Sequence, residues 1–466
     1  MDTVARRPKK GEEVEVAVET IDRRGRALGE TGGHPIALPR GLPGDKLRVR
    51  VTRRRRKELY GVPLEVLERG LDHIDARCAH AGSCGGCRFQ DLAYEAQLEL
   101  LRGHISESLA EALVPIAEVD PVIGCPEPWS YRNKMELSFG AIRWVEEDEP
   151  EGVDRDFALG FHAPGRFDRV LDVHECHLIF DGGIELVRTA RTLAKELELT
   201  AWNQHTHEGC LRHLVLRHGF HTGETLAYLV TSRDGADVDE FLARFAELHP
   251  ELTTLVHGVN SGVADVARAS ERRLLRGDGW ITERLHGVEF RISPESFFQT
   301  NTPQAERLFE VVLEEACAEG AELVHDLYCG AGSISLLLAR SAGHVRGFEL
   351  SGEAVADAEA NAHRNQISNV SFVAGDLAET IGEVSETPEV LVCDPPRAGM
   401  HERVVERMIE LAPPKIVYVS CNVHTAARDL GRLVQSGYEL VRARPVDLFP
   451  HTPHVECVFT LERSAS

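Results

Sequence analysis

The sequence predicts a multidomain protein with an N-terminal OB-like β-barrel, an α+β central region and a C-terminal α/β unit of the doubly wound, Rossmann-like class. Three observations carry this reading. The chain has 466 residues, more than one hydrophobic core usually organises. Short runs that alternate apolar and polar residues fill its first part, and from about residue 293 short apolar strands alternate with helical patterns. The second pattern is that of a parallel sheet covered on both faces. The expected boundaries are 8–68, 69–292 and 293–466.

The barrel comes first. Val14-Glu15-Val16-Ala17-Val18 and Leu47-Arg48-Val49-Arg50-Val51 are half-buried strands by their period of two. Turn residues at Gly32-Gly33, Pro39-Arg40-Gly41 and Pro43-Gly44-Asp45 divide the segment into about five strands. Arg53, Arg54, Arg55, Arg56 and Lys57 follow. Such a run is usually only a solvated face, but charge distribution argues for more. The whole chain carries a formal net charge of -23, which disfavours a polyanionic partner. Residues 1–70 nevertheless hold 17 Lys and Arg against 11 Asp and Glu, so this segment is positive and the acidity lies elsewhere. We expect the basic run to contact an RNA backbone. The acidic run Glu146 to Glu151 reads as an exposed loop that serves solubility.

The central region is expected to be α+β. Leu98, Leu101, Ile105 and Leu109 recur at helical spacing within Tyr94 to Leu113, and strand-like runs follow at Leu214 to Arg217 and Leu226 to Val230. Eleven cysteines without an apolar leader at the start point away from disulfides and toward metal binding or catalysis. Cys78, Cys84 and Cys87 cluster in a Gly-rich loop and need a fourth ligand, for which Cys176 is the leading choice. Spacing alone leaves zinc and an iron–sulfur cluster both open. With no run of about 18 apolar residues, the chain has no candidate membrane span, and a cytoplasmic location is expected.

The C-terminal unit carries the chemistry. Its strands are expected at Leu323 to Leu327, Val345 to Glu349, Val370 to Val373, Val390 to Cys393 and Ile416 to Val419. Ligands of such sheets bind beyond the carboxyl ends of the strands. The first strand runs into Tyr328-Cys329-Gly330-Ala331-Gly332-Ser333, a turn that lets a ligand approach the backbone. The second ends in Glu349, suited to accept both ribose hydroxyls, and the third in Asp376, suited to the adenine amino group. The fourth ends in Asp394-Pro395-Pro396-Arg397. Any one acidic residue is more often a cap, but three at successive strand ends behind a glycine loop indicate S-adenosylmethionine. The fifth strand delivers Cys421, and Glu456 enters an otherwise apolar final strand. Cysteines beside strands are usually small hydrophobes, so Cys329 and Cys393 compete with Cys421 at this stage. Uracil C5 needs a thiolate at C6 before it can attack a methyl sulfonium, and a partly desolvated carboxylate then removes the C5 proton. Phe297 and Phe298 are expected to favour an unstacked base.

Taken together, Ala37 to Asp45, the four cysteines, Tyr131 to Lys134, Phe298-Gln299, Asp326 to Gly332, Asp394 to Arg397, Ser420 to Asn422 and the final histidine–glutamate strand resemble the RNA uracil-5-methyltransferase family. The resemblance is to its ribosomal-RNA branch, whose members carry a TRAM barrel and an iron–sulfur cluster. It implies a [4Fe-4S] cluster on Cys78, Cys84, Cys87 and Cys176, and cofactor contacts from Gln299, Tyr328, Ser333, Glu349, Asp376 and Asp394. Cys421 and Glu456 become the catalytic pair. It also implies a 23S rRNA substrate ahead of tRNA, and a monomer without an obligate protein partner. Two rivals stand against it. An amino-group methyltransferase would use Asp394-Pro395-Pro396 but favours an aromatic residue where this chain has Arg397. A non-catalytic RNA-binding protein would not bind S-adenosylmethionine.

Overall fold

The structure, a computed structural model, describes residues 6–146, 149–150, 152–381 and 386–464. Glu147, Asp148 and Glu151 of the acidic run lie outside them. Strands β1 (Glu13–Ile21), β2 (Ala27–Thr31), β3 (His34–Leu38), β4 (Lys46–Arg54) and β5 (Leu59–Glu68) close into a barrel in the order β1-β2-β3-β5-β4. Alternation decides the faces: Leu47, Val49 and Val51 are buried inside, while Arg48 and Arg50 face outward. Closure leaves no strand edge open. Arg53 to Lys57 are all exposed where β4 turns into β5.

Helix α1 (Tyr94–Glu111) buries one stripe that includes Leu101, Ile105 and Leu109. The chain then builds an eight-stranded sheet from β6 (Lys134–Gly140), β7 (Arg143–Trp144), β8 (Ala158–His162), β9 (Val170–Asp172), β10 (Leu211–His218), β11 (Thr225–Thr231), β12 (Thr254–Val259) and β13 (Glu271–Arg276). Helices α2 (Gly183–Glu196) and α3 (Ala236–Leu248) cover one face through Leu186, Leu193, Phe241 and Phe245. Its other face, through Val215, Tyr228 and Val230, joins the core of the C-terminal unit. A hairpin, β14 (Ile281–Leu285) and β15 (Val288–Ile292), and helix α4 (Thr302–Ala316) lie in that shared core.

The remaining elements are β16 (Leu323–Leu327), α5 (Ser333–Leu338), β17 (His344–Glu349), α6 (Gly352–Arg364), β18 (Val370–Ala374), α7 (Leu377–Thr380), β19 (Val390–Cys393), α8 (Glu402–Leu411), β20 (Lys415–Ser420), α9 (Val423–Gln435), β21 (Tyr438–Val446) and β22 (Glu456–Arg463). The sheet order is β18-β17-β16-β19-β20-β22-β21. The first five strands of that order are parallel, while β22 runs antiparallel between β20 and β21. The central strands are lined on both faces, as β19 shows: Val390 and Val392 pack toward α4 and α5, and Leu391 and Cys393 toward α8 and α9.

Helix α1 belongs to this last core. Its apolar stripe packs with Leu430 and Leu433 of α9, although some three hundred residues separate them. The barrel in turn docks on α1. Ile21 and Leu42 are buried in the same cluster, His104 Nε2 lies 2.6 Å from the Ile21 carbonyl, and Arg23 donates to Ser108 and Glu111. Among the described residues no helix is long and apolar enough to cross a membrane.

Candidate active site

The loop after β16 is shaped by backbone angles that few residues adopt. Tyr328, Gly330 and Gly332 have φ of 63°, 53° and 84°, so the chain doubles back and α5 begins at once. A side-chain carbon on Gly330 would meet nothing within 4 Å, which leaves open space over the loop. Glu349 holds the loop from the neighbouring strand end, accepting from Gly330 N at 3.1 Å and Ser351 N at 2.9 Å. Asp326 lies beneath, fully buried; Oδ2 accepts from the Ser335 hydroxyl at 2.5 Å and Oδ1 has no partner. Burial, with the Asp394 charge adding to it, pushes its pKa up to about 7. Asp376 is exposed and caps α7 by accepting from Ala378 N at 2.8 Å. Ser333 opens α5, and Tyr328 is half-buried.

Gln299 is held from the central sheet. Asn133 Nδ2 donates to its carbonyl at 2.8 Å and to Thr302 Oγ1 at 2.9 Å, while Arg217 Nε donates to the Pro294 carbonyl at 3.1 Å. The two aromatic neighbours part company. Phe297 is 79% exposed, whereas Phe298 is buried against Phe290 with ring centroids 6.1 Å apart. Phe298 therefore cannot stack on a nucleobase, which corrects the expectation for that residue; alternation in an extended segment puts it in the core.

Cys421 follows β20 and is half-buried. Its competitors are not accessible: Cys393 is fully buried inside β19 and Cys329 is buried beneath the loop. The register of β20 against β22 pairs Ser420 with Cys457, so the next rung brings Cys421 and Glu456 together. Asp394, one residue beyond β19, and Arg397 complete the group. Burial pushes the Cys421 thiol up to about 11, with the Glu456 and Asp394 charges adding and Arg397 opposing. Burial also raises Glu456 well above the ordinary carboxylate range, reinforced by Asp394 and opposed by Arg397. Glu456 Oε2 has no hydrogen-bond partner. A buried carboxylate oxygen left unpaired costs roughly 1–3 kcal/mol or more, so an active-site role explains it better than stability does. Asp429 braces the neighbouring loop, accepting from Met400 N at 2.8 Å and from the Tyr418 hydroxyl at 2.9 Å.

Sequence reasoning misses the residues that hold the segment leading to Glu456. Asp447 accepts from the Tyr94 hydroxyl at 2.7 Å. Asn301 and Gln304, both fully buried at the start of α4, donate to the carbonyls of Leu448 and Asp447. The Asn301-Thr302-Pro303 start is a helix-cap signal, but nothing local announces its second partner.

The four cysteines share one neighbourhood. The thiols of Cys78, Cys84 and Cys87 each lie within electrostatic reach of Cys176. Glu175 beside it accepts from Ala79 N, and Gln90 Oε1 accepts from Cys78 N at 3.1 Å. Among the described residues, however, no three His, Cys, Asp or Glu side chains stand in the closed geometry of a metal site. The barrel abuts this loop: a Cβ on Gly82 would lie 1.7 Å from Arg40 Nη1.

The chain is similar to known proteins over most of its length. A family model described as tRNA (uracil-5-)-methyltransferase matches residues 238–464, and a TRAM domain model matches residues 7–64. A Clostridium tetani protein described as an uncharacterized RNA methyltransferase is 36% identical over 458 residues, covering 98% of both chains. A Porphyromonas gingivalis protein of the same description is 37% identical over 96% of this chain and 99% of its own. Among solved structures, Pyrococcus abyssi tRNA (uracil-54, C5)-methyltransferase in complex with S-adenosyl-L-homocysteine is 28% identical. It covers 96% of this chain and 99% of its own with a TM-score of 0.76.

Proposed function

The chain belongs to the RNA (uracil-5-)-methyltransferase family, and from that premise we propose that it methylates C5 of a uridine in 23S rRNA through a covalent adduct on Cys421. The observation that carries the chemistry is the meeting of Cys421, Glu456 and Asp394 at the strand ends, beside the glycine loop. S-adenosylmethionine supplies the methyl group. Gln299, Tyr328, Ser333, Glu349, Asp376 and Asp394 are the residues we assign to its binding; the open space over Gly330 and the anchored Glu349 carboxylate fit a nucleoside there.

The Cys421 thiolate adds to uracil C6, and the electron pair displaced to C5 takes the methyl group. Glu456 then accepts the C5 proton; the C5–C6 double bond re-forms and the C6–S bond breaks, returning the thiolate. Arg397 stabilises the thiolate, and the raised pKa of Glu456 strengthens it as a base once it is ionised. Phe297, which is exposed, is the aromatic side chain we assign to stacking on an extruded base.

The thiols of Cys78, Cys84, Cys87 and Cys176 are the ones we assign to a [4Fe-4S] cluster, as the family resemblance implies. Bound there it would cross-link the loop to the central sheet and take no part in methyl transfer. Cys84→Ser is expected to lose iron and soluble protein together; an iron-free variant of normal stability and RNA affinity would refute that role.

The choice of ribosomal RNA rests on the resemblance of the barrel segment and the four cysteines to that branch of the family. A second reading, tRNA, is favoured by the whole-chain likeness to the P. abyssi enzyme. Incubating the protein and S-adenosylmethionine with unmodified 23S rRNA fragments and, separately, tRNA tests both. 5-Methyluridine in the ribosomal RNA alone supports the proposal, and product in tRNA alone overturns the substrate while keeping the chemistry. Turnover by Cys421→Ala would sink the mechanism.

A further inference from the structure

The segment that delivers Glu456 is clamped at one residue that the catalytic chemistry does not use. His451 is buried, with a left-handed φ of 68°. Its backbone N donates to Gln97 Oε1 at 3.0 Å, and Gln97 Nε2 lies 3.2 Å from its Nδ1. That nitrogen also donates to the Phe89 and Leu92 carbonyls at 2.9 and 2.8 Å, so both its hydrogens are taken up by the backbone just after the cysteine loop, and its contact with the ring is the longest of the three. The His451 carbonyl accepts from Arg88 N at 2.8 Å and Phe89 N at 3.1 Å, the two residues that follow Cys87. Trp129 stacks on the imidazole at 4.0 Å, and the guanidinium of Arg77, the residue before Cys78, lies 5.2 Å over Trp129. One flank of the cysteine loop therefore bonds this histidine directly, and the other reaches it through Trp129.

From His451 the constraint runs to the base. Thr452 Oγ1 donates to the Phe449 carbonyl at 2.8 Å and accepts from His454 N at 3.3 Å, and the Phe449 and His454 rings meet edge to face at 6.3 Å. Val455 is buried, and Glu456 begins β22 paired with Val446 of β21, one residue beyond the last rung on β20. With no partner at Glu456 Oε2, the direction of that carboxylate is set by the backbone that leads to it.

We infer that His451 is a positioning residue: clamped by Gln97, Trp129 and the residues flanking the cysteine loop, it aims the Glu456 carboxylate at the C5 proton. The inference rests on the Cys421–Glu456 reading above. Its distinctive consequence concerns adduct release. A misplaced Glu456 leaves thiol attack and methyl transfer intact but slows proton removal, so the RNA stays covalently bound.

The test uses the full chain with the RNA it methylates, following kcat, KM for RNA and protein–RNA complex that survives denaturing electrophoresis. Glu456→Gln sets the reference for trapped adduct. His451→Ala is expected to lower kcat about 10- to 100-fold with KM within about twofold, and to accumulate adduct. His451→Asn keeps a side chain that tolerates the left-handed backbone together with the backbone bonds to Gln97, Arg88 and Phe89, and is expected to restore most turnover. Gln97→Met, which keeps the side-chain volume, is expected to repeat the adduct pattern more weakly and stands in if His451→Ala does not fold. Unchanged kcat, or a fall in kcat without adduct in both His451→Ala and Gln97→Met, overturns the inference alone. Failure of Glu456→Gln to trap RNA overturns the catalytic reading and this inference with it.

Discussion

Burial, with two carboxylates adding and one cation opposing, sets the ionisation of Cys421. With its thiol pushed up to about 11, only a small fraction is thiolate near neutrality. Single-turnover adduct formation should therefore rise with pH, close to tenfold per unit, across pH 6 to 9; a flat profile would show that the thiol is not what ionises. Arg397→Ala removes the neighbouring cation that lowers that pKa. It is expected to cut adduct formation about tenfold or more and to shift the profile to higher pH, whereas an unshifted profile would limit Arg397 to binding. Asp326 gives a stability test. Its folded pKa, about 7, lies above the ordinary value of 3.8. Between those values the unfolded chain releases the proton that the folded chain keeps, so this group's contribution to stability falls as pH rises and is constant above about 7. Denaturation from pH 4 to 8 should show Asp326→Asn gaining on the parent protein through that window. At this scale, Cys421 and Glu456 can be read from the sequence because a thiol and a carboxylate at apolar strand ends stand out. His451 and Gln97 cannot, since their meaning lies in a hydrogen bond across 354 positions.

Strands rather than helices carry the site, and one glycine keeps two of them close. A side-chain carbon on Gly347 of β17 would lie 2.6 Å from Phe372 and 2.8 Å from Cys329 Sγ, beneath the cofactor loop. Gly347→Ala is expected to cost about 1–3 kcal/mol, seen as a lower melting temperature, and to weaken S-adenosylmethionine binding by calorimetry. An unchanged affinity would separate the loop from the strand. The five parallel strands are legible within a residue or so because each is a short apolar run bounded by turn residues. The place of α1 is not. Its periodicity shows that it has a buried stripe, and long-range packing alone decides that the stripe meets α9 rather than the central sheet. Phe298 misleads for a related reason: an aromatic beside a polar motif looks available until its burial is known.

The barrel is attached to the body of the enzyme by Ile21, Arg23 and Leu42 on α1 and by Arg40 over Gly82. Its basic turn therefore stands at a set distance from Cys421. Reversing Arg53, Arg54 and Arg56 to Glu should weaken RNA binding and flatten its salt dependence by about one unit of slope for each phosphate no longer neutralised. S-adenosylmethionine affinity should stay unchanged; an unaltered salt slope would show that RNA runs elsewhere. The overall charge hides this surface, and only its distribution along the chain reveals it. The placement of β22 between β20 and β21 has a bearing on synthesis. A ribosome releases β20 and β21 before β22, so the growing sheet holds a gap one strand wide beside Cys421 until β22 emerges. Glu456 arrives in the event that closes the sheet, and on the proposed mechanism a nascent chain that already displays the Cys421 thiol has no means of completing a catalytic cycle on the RNA crowded around it.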